Sequence, residues 1–330
     1  MIYLIKLCVI LKNTDWRKTM DSNKTGTTVS KEEIARVKGL GFLINKGTNN
    51  FNCRVVTGNG KITWEKADRV AQASKIYGSG EIALTGRLSM EIIGVPYENI
   101  EPLIKYLEEA GLETGGTGPK VRPVVSCKGT TCQYGLIDVY SISAKVHELF
   151  YKGYHNVKLP HKFKIATGGC PNNCVKPSLN DVGIIGQRIP DFDNELCRGC
   201  KVCQIEKACP INVPKVIDGK MFRDDSVCNH CGRCIGKCPF GAVPSGKTGY
   251  KVCIGGRWGK KIAYGKPLDK IFETEEEALK TIEKCILFFK ENGIAGERFS
   301  DTINRMGFEN VQKELLSDEI LKRKEEIISK

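Results

Sequence analysis

Apolar and polar positions alternate and then repeat at helical spacing from Phe51 onward. F-N-C-R-V-V-T reads as a strand and G-N-G as the turn that ends it. Thr63 is placed to cap a helix whose inward stripe is Trp64, Ala67, Val70, Ala71 and Ser74, closed by Gly78. E-I-A-L-T and R-L-S-M-E-I-I-G-V supply two further strands. Pro96 opens a second helix with Ile100, Leu103, Ile104 and Leu107 inward and Gly111 as its stop. Strand, helix, strand, strand, helix in about 60 residues makes most of an α+β sandwich.

That order is the ferredoxin-like one, and it predicts a half-domain over 51–117 behind a lead-in over 1–50 that is polar and glycine-rich from 21 to 50. The lead-in holds one short amphipathic piece, Lys31 to Lys38. T-G-G-T-G-P then turns the chain into V-R-P-V-V-S-C, a strand ending on a cysteine. A helix is expected over 135–151 with Leu136, Val139, Tyr140, Ser143, Val146 and Phe150 on one face. K-F-K-I-A-T and D-V-G-I-I-G-Q read as strands, and Ile189-Pro190-Asp191 marks a boundary. Residues 191–243 hold eight cysteines in a loop-rich stretch with little core. Ordinary globular patterning resumes after Pro244: a strand in Y-K-V-C-I-G-G-R-W-G, another strand, and a helix from Thr274 with Glu277 completing a capping box. Residues 308–330 read as one charged amphipathic helix with Phe308, Val311, Leu315 and Leu316 inward. The expected division is therefore an α/β domain over 118–190 and 244–330, interrupted by an insertion at 191–243.

At 330 residues, 41% hydrophobic and 27% charged, the chain reads as soluble and globular. No apolar run approaches the roughly 18 residues of a membrane span. Met1 to Leu11 is apolar but is followed by N-T-D-W-R-K rather than a cleavage site, so a frayed terminus, or a natural start at Met20, is expected. The net charge of +13 is spread along the chain instead of being gathered into a basic stretch, which argues against nucleic acid. Anionic thiolate clusters or a polycarboxylate cofactor would also demand cations. Sixteen cysteines at ligand-like spacing imply a reducing cytoplasm and bound metal rather than disulfides.

The strongest motif is Cys228-x2-Cys231-x2-Cys234-x3-Cys238-Pro239. It is the bacterial ferredoxin run, whose fourth cysteine serves a second cluster. Cys197-x2-Cys200-x2-Cys203-x5-Cys209-Pro210 repeats it with two extra residues before the last cysteine. Exchanging fourth ligands assigns Cys197, Cys200, Cys203 and Cys238 to one cluster, and Cys228, Cys231, Cys234 and Cys209 to the other. A zinc module would need paired C-x2-C units instead of three evenly stepped cysteines. Two further pairs, Cys127 with Cys132 and Cys170 with Cys174, could hold a third cluster or a structural zinc. Between them Lys162 and Lys164 alternate on a strand-like run, placed to hold a small oxyanion on one face or to form an ordinary solvated face. Cys8, Cys53, Cys253 and Cys285 read as structural, and His147, His155 and His230 as ordinary. His161 adjoins the lysine pair and either orients it or, the favoured expectation, faces the other side of the strand.

The two cysteine pairs, with L-P-x-K-F-K between them, resemble the sirohaem-dependent sulfite and nitrite reductases over most of 51–307. The resemblance implies that Cys127, Cys132, Cys170 and Cys174 bind a [4Fe–4S] cluster and that Cys174 also bridges to the sirohaem iron. It implies an anion pocket of Arg54, Arg122, Lys162 and Lys164, and sirohaem contacts at Arg87 in L-T-G-R-L and at Gly255, Gly256 and Arg257. G-E-R-F, Gly296 to Phe299, is similar to the family's closing segment. The insertion and the G-T-T-C-Q-Y-G phrase narrow the likeness to the catalytic C subunit of anaerobic sulfite reductases. The implied activity is six-electron reduction of sulfite to hydrogen sulfide, fed through three [4Fe–4S] clusters. Flavoprotein and iron–sulfur donor subunits are implied as partners, since no G-x-G-x-x-G follows a strand here. The first pair is C-x4-C where many relatives have x5. One reductase repeat stands where long assimilatory enzymes have two, so a homodimer or partner subunit would cover the sirohaem. Nitrite reduction, or an electron carrier that lost sirohaem, are the alternatives.

Overall fold

The computed structural model describes residues 28–330, so the expectations for Met1 to Leu11, Met20 and Cys8 lie outside the described residues. The chain divides into two compact units, the first closing at Thr117 and the second comprising Gly58–Lys61 and Gly118–Lys330. The fold is α+β. No helix among the described residues is long and apolar enough to cross a membrane.

The first unit is an antiparallel sheet with helices packed on it. Its elements are α1 (Lys31–Gly39), β1 (Phe42–Ile44), β2 (Asn50–Val56), α2 (Trp64–Tyr77), β3 (Ile82–Leu84), β4 (Met90–Pro96), α3 (Ile100–Glu108) and β5 (Glu113–Thr114). The strand order is β1-β2-β4-β3, with β5 also pairing with β2. Alternation along β2 sends Phe51, Cys53 and Val55 into the core. Phe42 joins them there, so the chain enters this unit upstream of Phe51. Thr63 caps α2 by accepting from Lys66 N–H, as its position predicts. The inward face differs from the expected stripe: Val70, Ala73 and Ser74 are buried, while Trp64 is 76% exposed and Ala71 also faces solvent. Period alone leaves the phase of a stripe open, and here docking sets it, with Ser74 Oγ donating to the Glu81 carbonyl at 2.9 Å.

The second unit is built on a mixed sheet, flanked by helices. In chain order come β6 (Val125–Ser126), α4 (Val139–Val146), β7 (Ile165–Gly168), β8 (Val182–Pro190), α5 (Gln204–Ala208), β9 (Lys215–Ile217), β10 (Lys220–Phe222), β11 (Gly246–Ile254) and β12 (Lys266–Phe272). Helices α6 (Glu275–Asn292), α7 (Phe299–Met306), α8 (Phe308–Leu316), α9 (Glu319–Lys322) and α10 (Lys324–Ser329) complete it. The sheet order is β12-β11-β8-β7-β6, with β6, β7 and β8 parallel and β11 and β12 antiparallel. The predicted capping box is present: Thr274 and Glu277 satisfy each other's backbone. Behind it α6 buries Ala278, Ile282, Cys285, Ile286 and the Phe288–Phe289 pair. Phe163, Phe289 and Phe299 pack on one another at ring distances of 5.3–5.8 Å.

Two helical expectations change. The 135–151 helix begins only at Val139, where Asp138 caps it, and continues as a π-helix over His147–Lys152. The terminal helix is three short ones, and Leu316 is 40% exposed. The break serves a buried cation: Lys284 donates to the Leu315 carbonyl at 3.2 Å and pairs with Asp318 at 2.6 Å. The insertion leaves the sheet after Pro190 in β8 and returns at Gly246, the residue of β11 that faces Pro190. Its small core is Ile205, Met221, Cys234 and Val243.

Candidate functional site

One end of the β6–β8 sheet carries a cluster of cations seated on a buried carboxylate. Phe163 is fully buried against a bridge to Val121, so its neighbours Lys162 and Lys164 turn the other way, as alternation requires. Asp181, at the start of β8 and wholly buried, accepts from Lys164 N–H at 2.8 Å and from Arg298 Nη2 through both oxygens at 2.9 and 2.8 Å. Arg257 is held the same way by Asp301, at 3.1 and 2.9 Å. Arg122 N–H donates to the Phe163 carbonyl, which brings Arg122 beside the lysine stretch. Burial lowers the Lys162 ammonium below the usual lysine range, and Arg298 and Arg122 lower it further against the pull of Asp181. Burial also lowers His161, followed by Lys162, Arg298, Arg122 and Arg257. His161 therefore stands inside this constellation rather than facing away from it, and its Nδ1 accepts from Lys162 N–H at 2.8 Å.

The constellation suits an anion. Five cations surround two carboxylates, and Arg298 Nε is buried without a hydrogen-bond partner among the described residues. A bound oxyanion would satisfy such a donor, and guanidinium forks match its oxygens. Burial pushes the Asp181 carboxyl up, while Arg298 and the Lys164 N–H pull it back down. Sequence reading overlooked Asp181 and Asp301 and noticed Arg298 only within G-E-R-F. The available signal was a charged residue heading a buried strand, which needs a partner.

The four cysteines of the split pairs come together at the other end of β7. Parallel pairing of Ser126 with Thr167 sets the turns after β6 and β7 side by side. Gly169 N–H donates to Cys127 Sγ at 3.2 Å. The turns interlock through glycine: a Cβ on Gly169 would lie 2.9 Å from Gly129 Cα and 3.0 Å from Val139 Cγ2. Burial pushes the Cys170 thiol up, and the Cys127, Cys174 and Cys132 sulfurs add to the push. Four mutually close thiols with a backbone N–H aimed at sulfur fit an iron–sulfur cluster. Among the described residues no three His, Cys, Asp or Glu side chains converge on one point as a single metal ion requires. Lys164 and Cys170 flank β7, whose four residues span roughly 13 Å. The lysines and these cysteines therefore occupy opposite ends of one strand.

In the insertion, Cys209, Cys228, Cys231 and Cys234 line one small apolar cavity. Cys197, Cys203 and Cys238 pack against the satellite core. Cys200 lies one step of the same run away, half-buried. His230, in a left-handed conformation, donates its N–H to Cys228 Sγ at 3.5 Å. Burial pushes Cys234 up to about 11 and, less strongly, Cys228. Cys53, Cys253 and Cys285 are buried in the cores of strands and helix, away from these groups.

The remaining expected residues have other neighbours. Arg54, on β2 of the first unit, pairs with Glu91 at 2.7 Å and donates to the Gly116 carbonyl at 3.2 Å. Arg87 sits in the tight turn between β3 and β4, where Leu88 is left-handed. Gly255 and Gly256 follow β11, at the lysine end of the sheet. A Cβ on Gly256 would fall 2.3 Å from the Ser178 and Asn180 carbonyls, so glycine there admits backbone, not open space.

Comparison with known proteins identifies the family. Residues 117–324 match the family described as the nitrite and sulphite reductase 4Fe-4S domain, and 44–110 match its ferredoxin-like half domain. The chain is 30% identical to the coenzyme F420-dependent sulfite reductase of Methanocaldococcus jannaschii over 266 residues, covering 78% of this chain and 42% of that one. It therefore spans less than half the length of that relative. It is also 30% identical to the C subunit of the anaerobic sulfite reductase of Salmonella typhimurium, over 66% of this chain and 68% of that one. The crystal structure of dissimilatory sulfite reductase I shares the fold at 20% identity, with a TM-score of 0.65 over 81% of this chain and 69% of that one. With its half-domain, its paired-cysteine cradle and well over half its length matched, the chain belongs to the nitrite and sulphite reductase family.

Proposed function

We propose that this chain reduces sulfite to hydrogen sulfide, consuming six electrons and eight protons and releasing three waters. The observation that carries this reading is the cation constellation on Asp181, at one end of a sheet whose other end gathers four cysteines. Cys127, Cys132, Cys170 and Cys174 would hold a [4Fe–4S] cluster, with Cys174, the most exposed of them, shared with sirohaem. Arg87 is assigned to the sirohaem carboxylates, and Gly255, Gly256 and Arg257 to the strand that borders the cofactor. When bound, sirohaem would supply an electron-rich iron, and a cluster on these cysteines would supply electrons one at a time.

The chain's own groups do the rest. Arg122 and Arg298 stay charged and clamp the oxyanion, holding it as S–O bonds weaken. Lys162, whose proton is loosened by burial and by its cationic neighbours, is the group assigned to protonate a departing oxygen. Lys164 is fixed through its backbone to Asp181, and Arg54 is assigned to the same anion on the resemblance alone. Because the lysines and Cys170 occupy opposite ends of β7, we assign the completing half of each site to a second copy of the chain, in a homodimer. Electrons would enter through two further clusters in 191–243, from flavoprotein and iron–sulfur subunits in the cytoplasm.

The test is anaerobic purification followed by absorption and metal analysis. Sirohaem bands with about thirteen irons per chain are expected, four for each of three clusters and one in the sirohaem. Iron–sulfur absorption without sirohaem would make the chain a carrier, and zinc without iron would end both readings. Faster turnover of nitrite than of sulfite would reassign the substrate.

A further inference from the structure

One cavity of the second unit touches both cysteine systems. Its wall includes Tyr134 and Cys170 from the reductase side and Cys231 and Arg233 from the insertion. The Arg233 guanidinium stands over the Tyr134 ring, 5.0 Å from its centre. The insertion is pinned at this point. Cys231 forms a parallel bridge with Arg188 of β8, and Arg188 N–H donates to the His230 carbonyl at 2.7 Å. Gly232 is left-handed at φ +70°, and a Cβ there would lie 2.7 Å from Arg188 Cγ, so only glycine lets the loop sit this close to the sheet. The run Cys228 to Cys234 thus reaches the Cys170 turn through Cys231, while its Cys234 sits in the satellite core against which Cys197, Cys203 and Cys238 pack.

We propose that this cavity is the crossing point for electrons, with Tyr134 and Arg233 as its positioning residues, and that the run Cys228 to Cys234 is the inner relay while Cys197 to Cys203 is the outer one. The inference rests on the function proposed above. In each crossing one electron leaves the inner relay, which is oxidised by one unit, and enters the Cys170 centre, which is reduced by one unit. No bond or proton moves, and the outer relay restores the electron from a low-potential one-electron donor. Arg233 has a second consequence. A positive charge beside the inner relay favours its reduced form, so Arg233 raises its potential.

The test uses holoenzyme carrying Tyr134→Leu, Arg233→Gln or, as a control on an exposed part of the insertion, Phe240→Leu. After a limiting pulse of reduced viologen, rapid-freeze EPR follows the electron from the insertion to the Cys170 centre. Both cavity variants should slow this step several-fold with iron and sirohaem content unchanged, and Phe240→Leu should not. Arg233→Gln should also lower the midpoint potential of one insertion cluster, whereas Tyr134→Leu should leave potentials in place. Wild-type transfer rates in both cavity variants, with full iron, would overturn this inference alone. A wild-type chain that binds no iron would overturn the proposed function with it.

Discussion

Changing Asp181 to Asn tests how the cation cluster is held together. Asn keeps the volume and an acceptor for Lys164 N–H, but it deletes the charge facing Arg298. Both partners are desolvated: the Asp181 side chain is 0% and the Arg298 side chain 5% exposed, joined at 2.8 Å. Removing one member of such a pair typically costs about 3–5 kcal/mol, because the other charge stays buried without compensation. Here the orphan would also face Lys162, Arg122 and Arg257. In a unit of this size each kcal/mol shifts the midpoint by about 2–4 °C, so thermal unfolding should come roughly 6–20 °C earlier. Calorimetry on Asp181→Asn, Arg298→Gln and the double variant supplies the cycle. The double should lose less than the sum of the singles, by about 2 kcal/mol. Burial already raises the Asp181 carboxyl, and Arg298→Gln removes what opposes that rise. A carboxyl raised in the folded state contributes stability below its unfolded pKa and loses it as pH rises through the folded value. Arg298→Gln should therefore be least stable at neutral and alkaline pH and recover in mild acid. A midpoint for Asp181→Asn within 2 °C of wild type, or strictly additive singles, would refute the coupled-pair account.

Three more outcomes are expected. Lys162 is depressed below the ordinary lysine value of 10.5, so charging it costs folded-state stability as pH falls through its folded value. Lys162→Met should melt higher than wild type near neutrality, with the gap closing above pH 10.5, while sulfite turnover collapses and sirohaem is retained. A chain with Lys162→Met and Lys164→Met and a chain with Cys174→Ala should each be inactive, yet co-refolded dimers should regain turnover, since one of the two sites is then whole. No recovery from verified mixed dimers would sink the shared-site assignment. Gly169→Ala should lose the iron of the paired-cysteine cradle by metal analysis, because its methyl would strike Gly129 Cα at 2.9 Å, whereas Gly39→Ala, with nothing within 4 Å, should keep it.

Local chemistry was legible in the amino-acid sequence because it depends on neighbours a few residues apart. The capping box at Thr274 and Glu277, the Thr63 cap and the alternation Phe51, Cys53, Val55 are of that kind, and so is the stepping of the cysteines in the insertion. The pairing of Cys127 and Cys132 with Cys170 and Cys174 was also within reach, since only thiolate pairs at such spacing suggest a shared soft metal centre. Three-dimensional packing decided the rest. Period could not choose between Ala71 and Ala73 as the inward residue of α2, because adjacent phases of a 3.6 repeat score alike until a sheet is there to meet. The expected terminal helix breaks after Leu316, where Lys284 claims the Leu315 carbonyl from 31 residues away. The Asp181–Arg298 pair joins residues 117 apart, which no local pattern can encode. Lys164 and Cys170 look adjacent along the chain, yet an extended strand carries its two ends apart at about 3.3 Å per residue. Sequence proximity therefore puts them side by side, and the strand between them sets them at opposite ends of the sheet.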